Sequence, residues 1–589
     1  MDLEKLLSKA DQLYLDRRLF VKGIATGSAM LGLSLSPQRL LALTDPSPGQ
    51  PSLRGTTFKL TIAPQQVNIT GKERFATAVN GTVPGPILRW REGDRVSLDV
   101  TNMLAESSSI HWHGIILPAA MDGVPDISFD GIAPGGTYHY RFDVRQSGTY
   151  WYHSHSAFQE QTGLYGPIII DPQESEPFTY DREYVVMLSD WSDEQPTTIY
   201  HKLKKMSDYY NFSERTLGDL FREIELKGPA KTWSARSMWN RMRMSDRDIS
   251  DVTGYTYTFL MNGQPPAACW TGLFKRGERI RLRIINGSAM TFFDLRIPGL
   301  KMQVVAADGQ NIEPVTVDEF RIGVAETYDV IVEPRNDQAY CIFAQAIDRT
   351  GYACGTLTPD PALRAEVPDL DPYPILTMTD MGMSIAGTET MVSMDHAAMK
   401  MKIDTKENPG PAGTGSDAPV VHTKTEFGPQ VDMRAMDPQY RLDDTGVGLR
   451  NNGRRVLTYA DLRNIYPTPD PRDPEREIQL HLTGNMARYM WSINGIRYAD
   501  ADPLLFNYGE RLRITFVNDT MMNHPMHLHG MWSDLETGDG SHIPRKHTVT
   551  VQPGSKISFL VTADAMGSWA FHCHLLYHML AMFRKVTVS

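Results

Sequence analysis

The stretch Gly93-Asp94-Arg95-Val96-Ser97-Leu98-Asp99-Val100-Thr101-Asn102 begins at a turn glycine and continues with apolar residues that alternate with polar ones. The same pattern returns at Gly277-Glu278-Arg279-Ile280-Arg281-Leu282-Arg283-Ile284-Ile285-Asn286 and at Gly509-Glu510-Arg511-Leu512-Arg513-Ile514-Thr515-Phe516-Val517-Asn518. Alternation with a period of two is typical of a β-strand that buries one face. A pattern that occurs three times predicts three copies of one structural unit.

An Asn-Gly dipeptide precedes each copy of this repeat. The dipeptides are Asn80-Gly81, Asn262-Gly263 and Asn494-Gly495, which lie 13, 15 and 15 residues before the repeat glycine. Asn-Gly favours the tight turn of a β-hairpin. Short strands and frequent turns, repeated over units of domain size, predict an all-β fold of three antiparallel Greek-key β-sandwiches.

The repeats and the composition between them divide the chain into five parts. We expect an export signal, a first sandwich, a second sandwich, a polar and Met-rich linker, and a third sandwich, at residues 1–45, 50–172, 173–365, 366–469 and 470–589. Within the second sandwich, the stretch from Tyr200 to Asp246 has apolar residues at helical spacing and is predicted to be a helical insertion.

Composition and charge exclude several classes of protein. Hydrophobic residues make up 41% and charged residues 22% of the 589 residues, which is typical of a soluble globular protein. The net charge of -11 and the lack of a basic stripe argue against a nucleic-acid partner. The four cysteines form no CxxC pair, which argues against a zinc finger. Cys341 and Cys354 flank a turn-like tetrad and are either a cross-strand disulfide or two buried thiols.

The N-terminus resembles a twin-arginine export signal. Arg17-Arg18 precedes an apolar run from Gly23 to Leu35, which is shorter than the ~20 residues that a membrane-spanning helix needs. An ordinary amphipathic start is the alternative. We therefore expect a protein without a membrane span that is exported to the periplasm by the twin-arginine route.

Ten of the 17 histidines fall in four short clusters, and the clusters contain four His-x-His pairs. The pairs are His111 and His113, His153 and His155, His527 and His529, and His572 and His574. Side chains on a strand alternate between its faces, so the two imidazoles of each pair point the same way. Two pairs lie in the first unit and the other two lie at matching places in the third unit. We therefore expect one interface to gather all eight imidazoles. Eight neutral imidazoles favour several copper ions.

Cys573 lies between the two histidines of the last pair, so its side chain must face away from them. His524 and His578 are its obvious companions on that other face. Two histidines, one cysteine and a weak thioether make a blue-copper site that transfers single electrons. Cys573 is therefore predicted to connect this site to the imidazole cluster by a short covalent path.

The four clusters resemble the copper motifs of the multicopper oxidase family, and the export signal and Met-rich linker resemble its periplasmic copper-resistance protein A type. The resemblance covers all three units and implies cupredoxin-like domains with four copper ions. It implies that His111 and His527 bind the type 2 copper, and that His524, Cys573 and His578 bind the type 1 copper. It assigns the type 3 pair to His113, His153, His155, His529, His572 and His574.

Two further residues follow from this resemblance. The family places the axial type 1 residue ten positions after the cysteine, which here is Phe583, whereas a thioether is available one position earlier at Met582. We favour Met582. Asp122 matches a family carboxylate that delivers protons or orients the water on the type 2 copper; a turn aspartate before Gly123 is the alternative.

Methionines are abundant in the predicted linker. Thioethers select Cu(I), so a Met-rich segment could recruit this ion, with filling of core gaps as the alternative. The residues concerned are Met378, Met381, Met383, Met391, Met394, His396, Met399 and Met401.

With dioxygen as acceptor, oxidation of Cu(I) to Cu(II) is the leading expectation, and a periplasmic copper carrier could supply the ion. Oxidation of phenols is the second reading, and copper storage with incidental oxidase activity is the third.

Overall fold

The three repeat strands each lie inside one sheet of a β-sandwich, as the sequence pattern predicts. The computed structural model describes residues 50–242, 244–382 and 415–589, which belong to one compact unit. Six sheets form three sandwiches in chain order. The prediction of an all-β fold of three sandwiches is confirmed.

The first sandwich contains nine strands in two sheets. They are β1 (Ser52–Arg54), β2 (Thr57–Asn68), β3 (Glu73–Val79), β4 (Ile87–Arg91), β5 (Arg95–Asn102), β6 (His111–His113), β7 (Thr137–Asp143), β8 (Gly148–His153) and β9 (Tyr165–Asp171). One sheet has the order β3-β2-β5-β7 and the other β1-β4-β9-β8-β6. The second of these sheets ends at β6, so the first histidine pair lies on a sheet edge.

The second sandwich contains eleven strands and three helices. In chain order they are β10 (Arg182–Ser192), α1 (Pro196–Lys205), α2 (Leu217–Lys227), α3 (Pro229–Met242), β11 (Tyr257–Met261), β12 (Trp270–Leu273), β13 (Ile280–Asn286), β14 (Phe293–Arg296), β15 (Met302–Ala307), β16 (Gln310–Val317), β17 (Glu319–Ile322), β18 (Thr327–Val332), β19 (Tyr340–Ala346) and β20 (Tyr352–Thr358). The sheets have the orders β11-β10-β13-β18-β15-β16 and β12-β20-β19-β14-β17. Helices α1 to α3 form the predicted helical insertion, between β10 and β11.

The third sandwich contains the remaining strands and a short helix. They are β21 (Gln439–Tyr440), β22 (Arg476–Asn485), β23 (Met490–Ile493), β24 (Leu504–Phe506), β25 (Arg511–Asp519), β26 (His524–Leu528), β27 (Ser533–Leu535), β28 (Arg545–Lys546), β29 (Thr548–Val551), β30 (Ser555–Thr562), β31 (Gly567–Cys573), α4 (Leu576–Met579) and β32 (Phe583–Val588). The sheets have the orders β23-β22-β25-β30-β27-β28, with β21 beside β30, and β24-β32-β31-β26-β29. Short 3-10 helices occur at Ala119–Met121, Thr379–Met381, Lys424–Phe427, Tyr459–Asp461, Met486–Arg488 and Tyr498–Asp500.

The sheets differ from the expectation in being mixed rather than purely antiparallel. Strand β5 pairs with β2 in parallel, and β13 with β10 and β25 with β22 do the same in the other two sandwiches. Parallel neighbours need a crossover connection, and here the intervening chain crosses to the opposite sheet and returns. Turn signals do not reveal such crossovers.

The Asn-Gly turns are confirmed at all three places. Both residues of each dipeptide have positive φ, at 51° and 79° for Asn80-Gly81, which is the backbone of a type I′ turn. The asparagine Oδ1 also accepts a 2.7 Å hydrogen bond from a neighbouring strand in every case. The donors are the backbone N–H groups of Thr61, Met187 and His481.

The last asparagine of each repeat strand fixes the loop that follows it. Asn102, Asn286 and Asn518 are fully buried, and each amide donates to the carbonyl groups of returning chain. Their Oδ1 atoms accept from the backbone two residues further on, at Leu104, Ser288 and Thr520. In the third sandwich these hydrogen bonds of Asn518 lie just before His524, so the repeat itself positions the start of strand β26.

Cys341 and Cys354 are not directly opposite each other. Strands β19 and β20 pair Cys341 with Thr356 and Cys354 with Phe343, and all four cysteines of the chain are free. Of the two open readings, the structure therefore has buried thiols. The Sγ of Cys354 instead lies 3.6 Å from that of Cys269.

Several predictions fall on residues outside the described ranges. These are the export signal and most of the proposed copper-recruiting residues, namely Met383, Met391, Met394, His396, Met399 and Met401. Met381 is buried and Met378 packs against the core, as gap-filling methionines do. In the described part of the chain, no helix combines the length and apolarity that crossing a membrane requires.

Candidate metal centres

The four His-x-His pairs meet between the first and third sandwiches. Strand β6 pairs with β8 so that His111 lies opposite His153, and β26 pairs with β31 so that His527 lies opposite His572. All eight imidazoles are buried except that of His155, which is partly buried. Their ligand atoms form three close groups, which are His111, His113 and His527; His113, His153 and His574; and His155, His529 and His572.

His111 and His527 each present a free ring nitrogen. The Nδ1–H of His111 donates to the Asp122 carbonyl at 2.8 Å, and that of His527 donates to the His547 carbonyl at 2.6 Å. A carbonyl only accepts, so both protons are on Nδ1 and both Nε2 atoms carry a lone pair. These Nε2 atoms are buried without a protein partner.

In the group of His155, His529 and His572, two lone pairs point at each other. The Nδ1–H of His529 donates to Oδ2 of Asp122 at 2.9 Å, and that of His572 donates to the Cys573 carbonyl at 3.0 Å. Their Nε2 atoms are 3.1 Å apart. Burial lowers the pKa of His572 to about 4 and the pKa of His529 well below its usual value. Both rings are therefore neutral, and their facing lone pairs could both bind one metal cation.

The group of His113, His153 and His574 repeats this arrangement across the two sandwiches. The Nε2 atoms of His153 and His574 are 3.3 Å apart. The Nδ1 of His153 lies 2.7 Å from a carboxylate oxygen of Glu160 and 3.1 Å from the Ser154 carbonyl. Metal-binding histidines commonly donate their second N–H to such a carboxylate, which orients the ring.

Asp122 connects histidines of different sandwiches. One of its carboxylate oxygens is 2.9 Å from Nδ1 of His529, and the other is 3.3 Å from Nδ1 of His111. The neighbouring Gly123 has φ of 83°, and a Cβ there would come within 1.9 Å of the Ile110 carbonyl oxygen. The tight turn therefore requires glycine, and it holds the Asp122 carboxylate between the rings.

Cys573 faces a separate group with His524 and His578. Its Sγ is 3.4 Å from Nδ1 of His524 and 3.9 Å from Nδ1 of His578, and the two nitrogens are 3.4 Å apart. All three side chains are fully buried, and burial raises the pKa of the Cys573 thiol. A soft thiolate with two imidazoles suits copper, and a bound cation would deprotonate the thiol.

Both imidazoles of this second site are oriented through Nε2. The Thr520 hydroxyl is 2.7 Å from Nε2 of His524, and Oδ2 of Asp251 is 2.5 Å from Nε2 of His578. The Trp491 ring stacks on His578 with centroids 3.8 Å apart. The Nδ1 atoms are therefore left to face the sulfur.

Met582, which immediately precedes strand β32, and Phe583, its first residue, have different surroundings. The Phe583 ring stacks on His572, with centroids 5.4 Å apart and planes at 7°, and so faces the imidazole cluster. Met582 is fully buried in the core that also contains Cys573, and its carbonyl accepts the Cys573 N–H at 3.0 Å.

The sequence analysis missed the residues that contact these imidazoles but lie far from them in the sequence. His547 has Nδ1 at 3.2 Å from Nε2 of His113, but it is an isolated histidine and gave no pattern. Burial lowers its pKa to about 4. Asp251 and Glu160 are single acidic residues in unremarkable surroundings of the sequence. Only the fold brings them to the imidazoles, so no sequence signal could have found them.

The second sandwich also supports the third. The fully buried Lys546 has Nζ at 3.0 Å from carboxylate oxygens of Asp308 and Glu326. Oδ2 of Asp308 also accepts the backbone N–H groups of His547 and Thr548, at 3.2 and 3.1 Å. The second sandwich contains no His-x-His pair, which predicts a mere spacer, yet it holds the segment that carries His547.

Paired imidazoles between two β-sandwiches, next to a Cys-His site, define a class of copper protein with several metal centres. Three segments of this chain, residues 61–175, 232–361 and 471–589, match the family described as multicopper oxidase. The chain therefore belongs to the multicopper oxidase family, and it is an oxidoreductase whose cofactor is copper.

Similar proteins extend over almost the whole chain. It is 58% identical to the copper resistance protein A homolog of Pseudomonas syringae pv. tomato, over 97% of this chain and 99% of that protein. It is 56% identical to copper resistance protein A of Escherichia coli, with the same coverage. Among solved structures, the multicopper oxidase Fet3p has a TM-score of 0.62 at 20% identity, covering 91% of both chains. A laccase from Botrytis aclada has a TM-score of 0.61 at 20% identity, covering 91% of this chain and 88% of its own.

Proposed function

We propose that this protein is a periplasmic copper-resistance oxidase that couples oxidation of Cu(I) to Cu(II) with reduction of dioxygen to water. The observation that carries the proposal is the double contact of Cys573. Its Sγ lies 3.4 Å from Nδ1 of His524, and its carbonyl accepts the Nδ1–H of His572 at 3.0 Å. One residue therefore joins the two centres through its side chain and its backbone.

The ligand assignment follows the three imidazole groups and their free nitrogens. His111 and His527 bind the type 2 copper; the type 3 pair is bound by His113, His153 and His574 on one side and His155, His529 and His572 on the other. His524, Cys573 and His578 would bind the type 1 copper, and Met582 would supply the thioether because Phe583 faces His572. When bound, the four copper ions supply one-electron transfers and the four-electron reduction of dioxygen.

Asp122 orients two of the imidazoles and transfers protons in this reaction. Its carbonyl accepts the Nδ1–H of His111 and its carboxylate accepts that of His529, so Asp122 fixes the tautomers that leave a lone pair on both Nε2 atoms. Four protons must reach the oxygen site in each cycle, and Asp122 is a carboxylate beside the type 2 ligand His111. We assign it to proton transfer as well as to orientation.

Burial around the type 1 site favours a small electron donor. His524 and His578 are both fully buried, behind Asp251 and the rings of Tyr489 and Trp491. A cavity of about 10 Å³ adjoins the site, lined among others by Asp251, Met290 and Met522. That volume is close to the space of one water molecule. Thioethers suit a cuprous ion, whereas a phenol would need an exposed edge of the site.

The remaining assignments rest on relatives and on sequence. The two relatives named copper resistance protein A support a role in copper resistance, and the arginine pair near the N-terminus supports twin-arginine export. The five methionines from Met383 to Met401 would collect Cu(I), delivered by a periplasmic copper carrier, before it reaches the type 1 site, whereas Met378 and Met381 pack in the core.

Oxygen consumption tests the proposal and both alternatives. Copper-loaded protein is expected to consume oxygen faster with Cu(I) than with a phenol, and Cys573→Ser is expected to abolish both activities. Replacing the five methionines from Met383 to Met401 with leucine should slow only the cuprous reaction. Faster turnover of a phenol, unchanged by these replacements, would favour the laccase-like reading. Many more than four bound copper ions, with copper tolerance retained in Cys573→Ser cells, would favour storage.

A further inference from the structure

A second cluster of histidines and carboxylates lies outside the sites described above. It combines His422 and Glu426 from the segment before β22 with His481 on β22 and Asp519 at the end of β25. The side chains of Glu426 and Asp519 are fully buried, that of His481 is 2% exposed and that of His422 is 17% exposed. Three separate parts of the chain therefore bring four ligand-type side chains together.

The spacing of the four ligand atoms suits a tetrahedral metal ion. Nδ1 of His422 is 2.8 Å from Oε2 of Glu426 and 3.5 Å from Oδ2 of Asp519. Nδ1 of His481 is 3.3 Å and 2.7 Å from the same two oxygens. A tetrahedral site with bonds of about 2.0–2.1 Å has neighbouring ligand atoms roughly 3.3 Å apart. Small outward movements of the closer pairs would make room for the ion.

Each carboxylate is held by one oxygen and presents the other to the cluster. Oε1 of Glu426 accepts the N–H and the hydroxyl of Thr423, at 3.1 and 2.8 Å. Oδ1 of Asp519 accepts the Ala435 N–H at 2.7 Å. Such outer contacts orient metal-binding carboxylates, and here they aim Oε2 and Oδ2 at the two imidazoles.

The tautomer of His481 is fixed by a neighbour. Oε1 of Gln479 accepts the Val421 N–H at 3.0 Å, which identifies it as the oxygen, and Nε2 of His481 is 3.1 Å from it. Nε2 therefore carries the proton of the neutral ring, and Nδ1 turns its lone pair toward two carboxylate oxygens. This contact is favourable only with a proton or a metal ion between the nitrogen and the carboxylate oxygens.

We propose that His422, Glu426, His481 and Asp519 bind a divalent transition-metal cation, as a metal site additional to the four copper ions of the oxidase. Two buried carboxylates balance the two charges of such a cation, and both imidazoles then stay neutral. The set of two nitrogens and two oxygens suits Cu(II) or Zn(II), and Cu(II) binds more tightly to such ligands. The ion attaches the end of the segment between the second and third sandwiches to β22 and β25. Asp519 directly precedes Thr520, whose hydroxyl contacts His524.

Metal counting in a matched pair of variants tests this site. His422→Asn places an amide near the position of Nδ1 and removes a metal ligand while keeping a hydrogen-bond donor. His139→Asn is the control, because Nδ1 of His139 also contacts a carboxylate, that of Asp99 at 2.7 Å, on an exposed strand. After loading with Cu(II) or Zn(II) and removal of loose metal, we expect one metal equivalent fewer in His422→Asn than in the wild type and in His139→Asn.

The same comparison in a Cys573→Ser background separates this proposal from the oxidase function. That background lacks the type 1 site and oxygen turnover, yet the difference of one equivalent should persist. Equal metal content in His422→Asn and the wild type would overturn the proposal and leave a network of protonated imidazoles. Anomalous diffraction from wild-type crystals soaked in Zn(II) gives a readout that does not depend on folding of a variant. A peak between the four side chains supports the site, and its absence refutes it.

Discussion

Oδ2 of Asp251 lies 2.5 Å from Nε2 of His578, although 327 positions separate the two residues in the sequence. Asp251 follows the helical insertion of the second sandwich, and His578 lies on α4 beside Cys573. The contact leaves Nδ1 of His578 free to face the sulfur. The segment that follows the insertion therefore contributes directly to the electronic environment of the proposed type 1 copper.

Replacing Asp251 by asparagine tests this contribution. Asp251→Asn removes the negative charge from behind His578, so Cu(II) is bound less well and the reduction potential rises. Loss of such an outer partner commonly lowers metal affinity or activity about 10–100-fold. Reductive titration of the blue absorption and competition with a chelator measure both effects.

Tyr489→Phe is the matched control for that change. The Tyr489 hydroxyl donates to the same Asp251 oxygen at 3.1 Å, so its removal keeps the carboxylate charge and the ring. We expect a much smaller rise in potential than in Asp251→Asn. Equal effects of both variants would mean that the charge of Asp251 is not the cause.

Asp122→Asn should slow oxygen reduction and leave the type 1 site unchanged. The amide keeps the shape of the carboxylate but weakens its hold on His111 and His529, so we expect oxygen uptake to fall about 10–100-fold. The blue absorption should persist, because neither His524 nor His578 contacts Asp122. Asp130→Asn, an exposed carboxylate in the same loop, should behave like the wild type. Loss of the blue absorption in Asp122→Asn would contradict the assignment.

Met582→Leu and Phe583→Leu distinguish the two candidates for the axial position. Loss of the thioether should raise the type 1 potential by about 59 mV for each tenfold loss of preference for Cu(II). The exchange of methionine for leucine in the core should cost less than about 1.5 kcal/mol. Phe583→Leu should leave the potential unchanged, since this ring stacks on His572. A redox titration showing the reverse pattern would assign the axial position to Phe583.

We predict that replacing Asp432 by asparagine stabilises the folded protein to an extent that depends on pH. Burial raises the pKa of Asp432 to about 6, while its Oδ2 accepts the Met486 N–H at 2.7 Å. Between pH 4 and 6 the folded protein therefore binds more protons than the unfolded chain, and stability falls as pH rises. Asp432→Asn keeps an acceptor without the charge, so it should stabilise at pH 7 by at most about 3 kcal/mol and have little effect at pH 4.

Thermal unfolding at pH 4 and pH 7 checks this prediction. Asp437→Asn, which changes an exposed carboxylate five positions away, serves as the control and should shift neither midpoint. A gain for Asp432→Asn that is equal at both pH values would show that the carboxylate charge is not the source of the effect.

Local sequence patterns were sufficient to predict the three sandwiches and most of the candidate metal ligands. Alternation after Gly93, Gly277 and Gly509 predicted the three repeat strands, and the Asn-Gly turns have the positive φ angles that hairpins require. The His-x-His spacing predicted which imidazoles share a face, because strand geometry fixes that relation locally. The same rule predicted that Cys573 faces away from His572 and His574.

Contacts between distant parts of the chain were not predictable in this way. The parallel pairing of β5 with β2 depends on a crossover between sheets, and the cysteines near the turn are displaced by two residues in register. Glu160, Asp251 and His547 are single residues whose partners lie elsewhere in the fold. Nothing in the sequence near Asp519 or His481 indicated a cluster with His422 and Glu426.

The sequence by itself thus determined the three sandwiches, the two faces of the Cys573 strand and the chemical type of the ligands, since all of these follow from short-range periodicity. Only the tertiary structure decided which nitrogen of each imidazole is free, which carboxylates orient the rings, and that Phe583 lies against His572. These features depend on how sandwiches pack against one another, and packing brings together residues that no local spacing relates.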